Sequence, residues 1–323
     1  MTGAASDWKP NLFVPGFPKC GTTALCDYLK QNPEVYVMSP KEPNTLVEGE
    51  RMPRWGPRQV RLMRPYYPIL DFKAYKRQFE RHRDVRYRAE GSQNYIFPPR
   101  FPAKLKSFSP DAKLLFMIRE QKSRLVSMYY FLYTEHGEPD FIRWASERLE
   151  PEVDKFLFRR KLASFHALFG DAMRVIRNEA LERSPQPTMD EVFEFLGVAK
   201  VKVDRVSSKV GELKSLSPTQ RAARSKRARF VRDVRLPATY LWNVADPGRS
   251  SPALNRLFQL HPLRRMMRGE SEQRSNPVAR RVDGLPEEGK IPPGLAEKLD
   301  EDYAETVGFC RDRHLLLADG GRD

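Results

Sequence analysis

The sequence predicts an α/β fold of the P-loop-like kind. Its three layers are a central parallel sheet with helices on both faces, completed by a helical C-terminal region. Three observations predict it. Short apolar runs alternate with helical patterns between residues 11 and 198, the order that gives a parallel sheet covered on both sides. The first run leads straight into a glycine loop, VPGFPKCGTTAL at residues 14–25. A well-spaced helix closes the chain at 294–310.

In chain order, Leu12–Pro15 reads as a buried strand. Thr22–Gln31 reads as a helix, with Ala24, Leu25, Tyr28 and Leu29 at helical spacing and Asn32-Pro33 as its stop. Val35–Met38 is a second strand. Residues 43–70 are rich in Pro and Arg and read as a long surface loop. Phe72–Arg83 is a helix. Lys113–Ile118 (KLLFMI) is the clearest buried strand, and Ser123 stands as N-cap of a helix through Tyr133. Met173–Ile176 is a further strand, and Thr188 caps a helix that ends at Leu196 before Gly197. The final helix runs Gly294–Cys310 through Leu295, Leu299, Tyr303 and Val307. The chain is read as one domain over 1–323. It has an α/β core at 11–198, a variable basic region at 199–284, and a C-terminal helix at 285–312 that returns to the core.

The 323 residues carry a net charge of +15 and are 40% hydrophobic, enough for a sizeable core. That charge favours anionic partners: a nucleotide, an acidic glycan, a membrane surface or nucleic acid. Three cysteines, Cys20, Cys26 and Cys310, make no disulfide framework and no C-x-x-C pair. With no signal-peptide pattern in MTGAASDWKPNLFV, a cytoplasmic location is the expectation. No window of about 18 apolar residues stands out as a membrane span.

The glycine loop departs from the nucleotide-triphosphatase pattern. There the order is G-x-x-x-x-G-K-S/T, with lysine after the second glycine. Here Gly16 and Gly21 keep the spacing, Thr22 and Thr23 follow, and the lysine is Lys19, inside the loop. A strand, a glycine loop and a helix N-terminus form an anion site from backbone N–H groups and the helix dipole. Magnesium-dependent enzymes also want a strand ending in Asp, whereas KLLFMI ends in Arg119 and Glu120. Transfer of an anionic group without a metal fits these residues better.

FVPGFPKCGTTALCDYLKQNPEVYVMSPKEPN resembles the opening of the sulfotransferases that use 3′-phosphoadenosine 5′-phosphosulfate (PAPS), which run strand, P-K-x-G-T-T loop, helix, HPEV turn and KEP. EGSQNY at 90–95 is similar to that family's GE-x-S-P-x-Y segment, and LLFMIREQKSRLVSMYY to its LRxPxxRxxSxY signature. FEFLGV resembles the FLGL helix end, and GKIPPGLAEKLDEDYAETV the C-terminal helix. The resemblance implies PAPS as cosubstrate and no metal. It implies that Lys19 holds the sulfonate and bridging oxygen, and that Cys20, Gly21, Thr22, Thr23 and Ala24 cradle the 5′-phosphosulfate. Arg119 and Ser127, eight residues apart, inherit the 3′-phosphate, and Lys290 stands where relatives carry a further cofactor loop. Cys20 also reads as a small buried filler.

In-line sulfonyl transfer to a hydroxyl or amine needs a base for the acceptor proton. Glu42 matches the glutamate of AEPHFF in heparan sulfate 3-O-sulfotransferases. The next residues differ: Asn44-Thr45-Leu46 replaces His-Phe-Phe. Cytosolic small-molecule enzymes use a histidine instead, and His136 is the histidine nearest in sequence to the Ser127 helix. The expected acceptor is a carbohydrate, a glycolipid or a small metabolite. The basic stretch 219–236 holds a single aromatic residue, Phe230, so nucleic acid is not expected. Residues 254–268 are basic and amphipathic and offer either peripheral membrane contact or a lid. Two rival readings are a magnesium-dependent nucleoside or nucleotide kinase and a non-catalytic anion- or membrane-binding protein.

Overall fold

The computed structural model describes residues 8–39, 42–47, 72–136, 142, 145–149, 153–154, 156–206 and 288–318. Among these, six strands form one parallel sheet. They are β1 (Leu12–Phe13), β2 (Val35–Val37), β3 (Tyr87–Glu90), β4 (Lys113–Ile118), β5 (Met173–Arg177) and β6 (Leu316–Leu317). The order across the sheet is β2-β3-β1-β4-β5-β6. Leu12 pairs with Ala89 on one side and Lys113 on the other, and Val175 pairs with Leu316.

The α/β class and the parallel sheet agree with the sequence reading. Leu114–Ile118 in β4 are each 0% exposed, as expected of a parallel strand covered on both faces. The helices are α1 (Thr22–Leu29), α2 (Phe72–Glu80), α3 (Phe101–Phe108), α4 (Gln121–His136), α5 (Arg159–Phe169), α6 (Asn178–Arg183), α7 (Pro185–Leu196) and α8 (Pro293–Arg311). The main core joins β1, β4 and β5 to Leu25 and Leu29 of α1, Phe165 of α5 and Phe193 of α7. A second apolar cluster packs Leu125, Val126, Met128 and Tyr129 of α4 against Leu295 and Leu299 of α8. No described helix is long and apolar enough to cross a membrane.

Several boundaries differ from the sequence expectation, each for a local reason. The α4 helix begins at Gln121, not after Ser123. Its cap is the Glu120 carboxylate, which accepts the Lys122 N–H at 2.8 Å and the Ser123 N–H at 2.6 Å. An anionic cap at this end also complements the helix dipole. Thr188 is not a cap either: α7 begins at Pro185, and the Thr188 hydroxyl donates back to Ser184 O at 2.8 Å. Gly197 does close α7, at φ 69°, with Val198 N–H reaching Phe193 O at 3.0 Å. The predicted surface loop 43–70 is buried over 43–47, where Thr45–Val47 forms a short 3-10 turn. Its remainder from residue 48, and the basic stretches 219–236 and 254–268, lie outside the described residues.

One carboxylate binds α8 to the rest. Asp302, 6% exposed, accepts the Gln121 side-chain amide at 2.8 Å and the backbone N–H of Phe158 at 2.9 Å and Arg159 at 3.1 Å. It thus caps α5 from α8 and holds the first turn of α4. Asp302→Ala is expected to lower stability by about 3 kcal/mol, because buried N–H donors lose a charged acceptor. Asp302→Asn should lose less. Urea titration of the two variants checks the order.

Candidate functional site

The loop between β1 and α1 lies at the carboxyl edge of the sheet, where open α/β sheets bind ligands. Val14 N–H bonds Glu90 O at 2.8 Å, which carries the chain past β3 before it turns. A Cβ on Gly16 would stand 2.2 Å from Thr22 Cγ2, so the loop folds onto its own helix only with glycine there. Gly21 sits at φ 89°, and a Cβ there would meet Asn178 Oδ1 at 2.1 Å. Lys19 holds φ 67° in a non-glycine residue, a left-handed conformation that costs roughly 1–3 kcal/mol. Gly21 has no side chain to cap α1, and no acidic residue lies in its first turn. The dipole there is left to favour an anion. Thr22 is buried, Ala24 is half-buried and Thr23 is exposed.

Two positive groups sit under this loop. Arg124, 2% exposed, donates through Nε to Pro18 O at 3.0 Å and through one terminal nitrogen to Gln121 Oε1 and Phe156 O, both at 2.8 Å. Its guanidinium also lies 4.8 Å from the Phe158 ring centre. Lys161 of α5 lies 5.9 Å from the Phe17 ring centre and 5.3 Å from that of Phe97. Burial first, and Arg124 second, push its amine down to about 7. Cys20 is fully buried, its Sγ 3.8 Å from Pro18 O. Burial pushes its thiol up to about 11, although Arg124 and Arg119 pull the other way. Cys20 is therefore a protonated filler in a positive field.

Arg119 follows β4, and its Nε is buried without a hydrogen-bond partner. Ser127 is 2% exposed, and its Oγ is equally unpartnered, although a helical serine commonly bonds back to its own helix. With α4 starting at Gln121, Ser127 lies nearly two turns in, deeper than the sequence suggested. Asn178 Nδ2 at the end of β5 and Thr306 Oγ1 on α8 are also buried without partners. Such buried groups call for a partner, a water or a ligand. Lys290 stands half-buried in a 3-10 turn (Glu288–Lys290), and the next residue, Ile291, packs into the α4–α8 cluster.

Glu42 lies one strand over, beside the end of β3. It is 9% exposed, and its Oε2 accepts the Gln93 amide at 3.0 Å. Glu42 N–H bonds Gly91 O at 3.1 Å. Glu42 and Asn44 hold φ 61° and 52°, so this turn is strained as the glycine loop is. Beneath it Glu90 is fully buried. Its carboxylate accepts the Tyr75 hydroxyl and the Ser92 hydroxyl, the latter at 2.6 Å, and hydrogen-bonds Tyr95. Burial pushes the Glu90 carboxyl up to about 7, against these hydroxyls.

Lys19 through Ala24, Arg119 and Ser127 thus share the loop end of the sheet, and Glu42 stands at the same edge. The side chain of His136 lies outside the described residues. Arg124, Asp302 and Glu90 had no assigned role in the sequence reading. Arg124 was nonetheless visible as the second arginine of REQKSR, and Glu90 as the first residue of EGSQNY.

The family model described as Sulfotransferase family matches residues 10–202. Carbohydrate sulfotransferase 15 of Rattus norvegicus is 28% identical over 171 residues, 44% of this chain and 30% of that protein. The chain therefore spans less than a third of that relative's length. The crystal structure of a sulfotransferase from Alicyclobacillus acidocaldarius is 27% identical, with a TM-score of 0.54, covering 69% of this chain and 95% of the other. The sulfotransferase domain of the Synechococcus PCC 7002 olefin synthase is more distant, at 17% identity and a TM-score of 0.41, over 72% of this chain and 94% of that one.

The Glu90 value carries a pH prediction. Its folded value, about 7, lies above the ordinary carboxyl value of 4.5, so between those pH values the folded chain holds a proton that the unfolded chain releases. This contribution to stability is complete below about 4.5 and is lost as pH rises through about 7. Glu90→Gln is expected to flatten that fall, measured as the difference between urea midpoints at pH 5 and pH 8.

Proposed function

Because the chain belongs to the Sulfotransferase family, we propose that it transfers a sulfonyl group from PAPS to a hydroxyl or amine of an acceptor, with Glu42 as base. The observation that carries this reading is the pair of buried, unpartnered donors, Arg119 Nε and Ser127 Oγ, beside a glycine loop in a positive field. A phosphate is the ligand that satisfies an arginine and a hydroxyl together. When bound, PAPS supplies the sulfonyl group and a phosphate leaving group.

The chain's own residues divide the remaining work. Backbone N–H groups of the loop through Ala24, with the Thr22 and Thr23 hydroxyls, hold the 5′ end. Lys19 sets a positive charge where negative charge grows on the departing oxygen. Arg119 and Ser127 hold the 3′-phosphate, with Lys290 as a further contact. Glu42 removes the acceptor proton at Oε1 or Oε2, and the Gln93 amide on Oε2 fixes the rotamer. The acceptor we favour is a carbohydrate, a glycolipid or a small metabolite hydroxyl. Likeness to a carbohydrate sulfotransferase over part of its length supports the first.

Labelled PAPS incubated with a panel of glycans and small alcohols tests the reading. Glu42→Gln is expected to lower the transfer rate by about 100-fold or more, with affinity for the product 3′,5′-adenosine bisphosphate (PAP) kept within about twofold. Full-rate transfer by this variant would remove Glu42 as the base. Turnover of ATP with magnesium, and none of PAPS, would remove the proposal.

A further inference from the structure

Glu42 and Asn44 both occupy left-handed conformations within three residues. Such a turn keeps its shape only where its surroundings fix it. Asn44 Nδ2 donates to Glu42 O at 2.7 Å within the turn, and three further contacts come from the segment after β3. Glu42 N–H reaches Gly91 O at 3.1 Å, Asn44 N–H reaches Ser92 Oγ at 3.2 Å, and Leu46 N–H reaches Tyr95 Oη at 3.2 Å. Two of these three acceptors are hydroxyls, and a hydroxyl can rotate to present either its proton or its lone pairs. Glu90 removes that choice. Ser92 donates its proton to Glu90 Oε1 at 2.6 Å, and Tyr95 also hydrogen-bonds Glu90. Above about pH 7, where Glu90 is ionised, both hydroxyls place their protons on the carboxylate and turn lone pairs toward the backbone N–H groups of the strained turn. Tyr75 of α2 donates to the other oxygen, Oε2, and holds the carboxylate in place. Glu90 itself is 0% exposed, so its reach to the surface of the edge runs through these hydroxyls.

We propose that Glu90 is a positioning residue: through the Ser92 and Tyr95 hydroxyls it sets the turn that presents Glu42. The inference rests on the reading of Glu42 as the base for its link to turnover, but the positioning itself is independent of that reading.

Hydrogen exchange followed by mass spectrometry tests it, on the full chain without ligand. In Glu90→Leu, which keeps bulk and removes the acceptor, amides of the 42–47 segment are expected to exchange about tenfold faster, the equivalent of one lost hydrogen bond. The 14–25 loop should stay at its wild-type rate. Glu90→Gln keeps a carbonyl acceptor and is expected to restore slow exchange. A volume-filling role predicts the opposite order, with Leu equal to wild type. If Glu90→Leu does not fold, Ser92→Ala and Tyr95→Phe each remove one relay and should speed the same segment. In the transfer assay, Glu90→Leu should lower kcat by about tenfold and leave PAP affinity within twofold. Wild-type exchange at 42–47 in Glu90→Leu, or in both relay variants, overturns the proposal. If the exchange changes as expected while Glu42→Gln transfers at full rate, the positioning stands and only the base assignment fails.

Discussion

The carboxyl edge of the sheet depends on one buried guanidinium. Arg124 reaches the glycine loop at Pro18, the segment before α5 at Phe156, and Gln121 in its own helix. Gln121 passes the connection to Asp302, which caps α5 from α8. Loop, α4, α5 and α8 are therefore fixed to one another by a single hydrogen-bonded chain. The arrangement has an electrostatic cost. Burial disfavours the Arg124 cation, and its hydrogen bonds to Pro18, Gln121 and Phe156 include no carboxylate. A buried positive charge of this kind is tolerable where negative charge comes close. Asp302, one link along the same chain, offsets part of that cost, and an anion on the loop, as proposed above, would offset more.

A second feature of the edge is the contrast between rigid strands and strained turns. Lys19, Glu42 and Asn44 all hold positive φ, and all lie in the two turns that carry the proposed chemistry. The strands β1 and β3 beneath them consist of buried residues. Strain of this kind persists only where neighbours over-determine it. The Arg124 chain does so for the glycine loop, and the Glu90 hydroxyl cluster does so for the Glu42 turn. Lys161, pushed down to about 7 between two aromatic rings, adds a weakly held proton near the loop.

Much of this was legible in the sequence, and the rest was hidden for physical reasons. KLLFMI could be read as β4 because five successive apolar residues need cover on both faces. YRAE could not be read as β3, since it carries a buried Arg88 and a buried Glu90. Lys9 O, for Arg88, and Tyr75, for Glu90, are remote partners, whereas Ser92 and Tyr95 stand in the same EGSQNY segment as Glu90, which marks the segment without announcing a strand. The loop residues Lys19 to Ala24 could be proposed because Gly16 and Gly21 keep the spacing of an anion loop and the segment resembles a family motif. Arg124 stands in the same REQKSR segment as Arg119, but its partners are scattered over Pro18, Gln121 and Phe156. The cap of α4 was misplaced because a carboxylate just before the helix took the role expected of a serine inside it.

The central claim is that this edge is built for a nucleotide bisphosphate, and calorimetric titration with PAP in the absence of magnesium tests it most directly. The account predicts that PAP binds the wild-type chain and, at a hundredfold excess over its dissociation constant, stabilises it by about 2.7 kcal/mol. Arg119→Ala should lose most of that effect. No response to PAP in either protein, together with stabilisation by ATP and magnesium, would contradict the account.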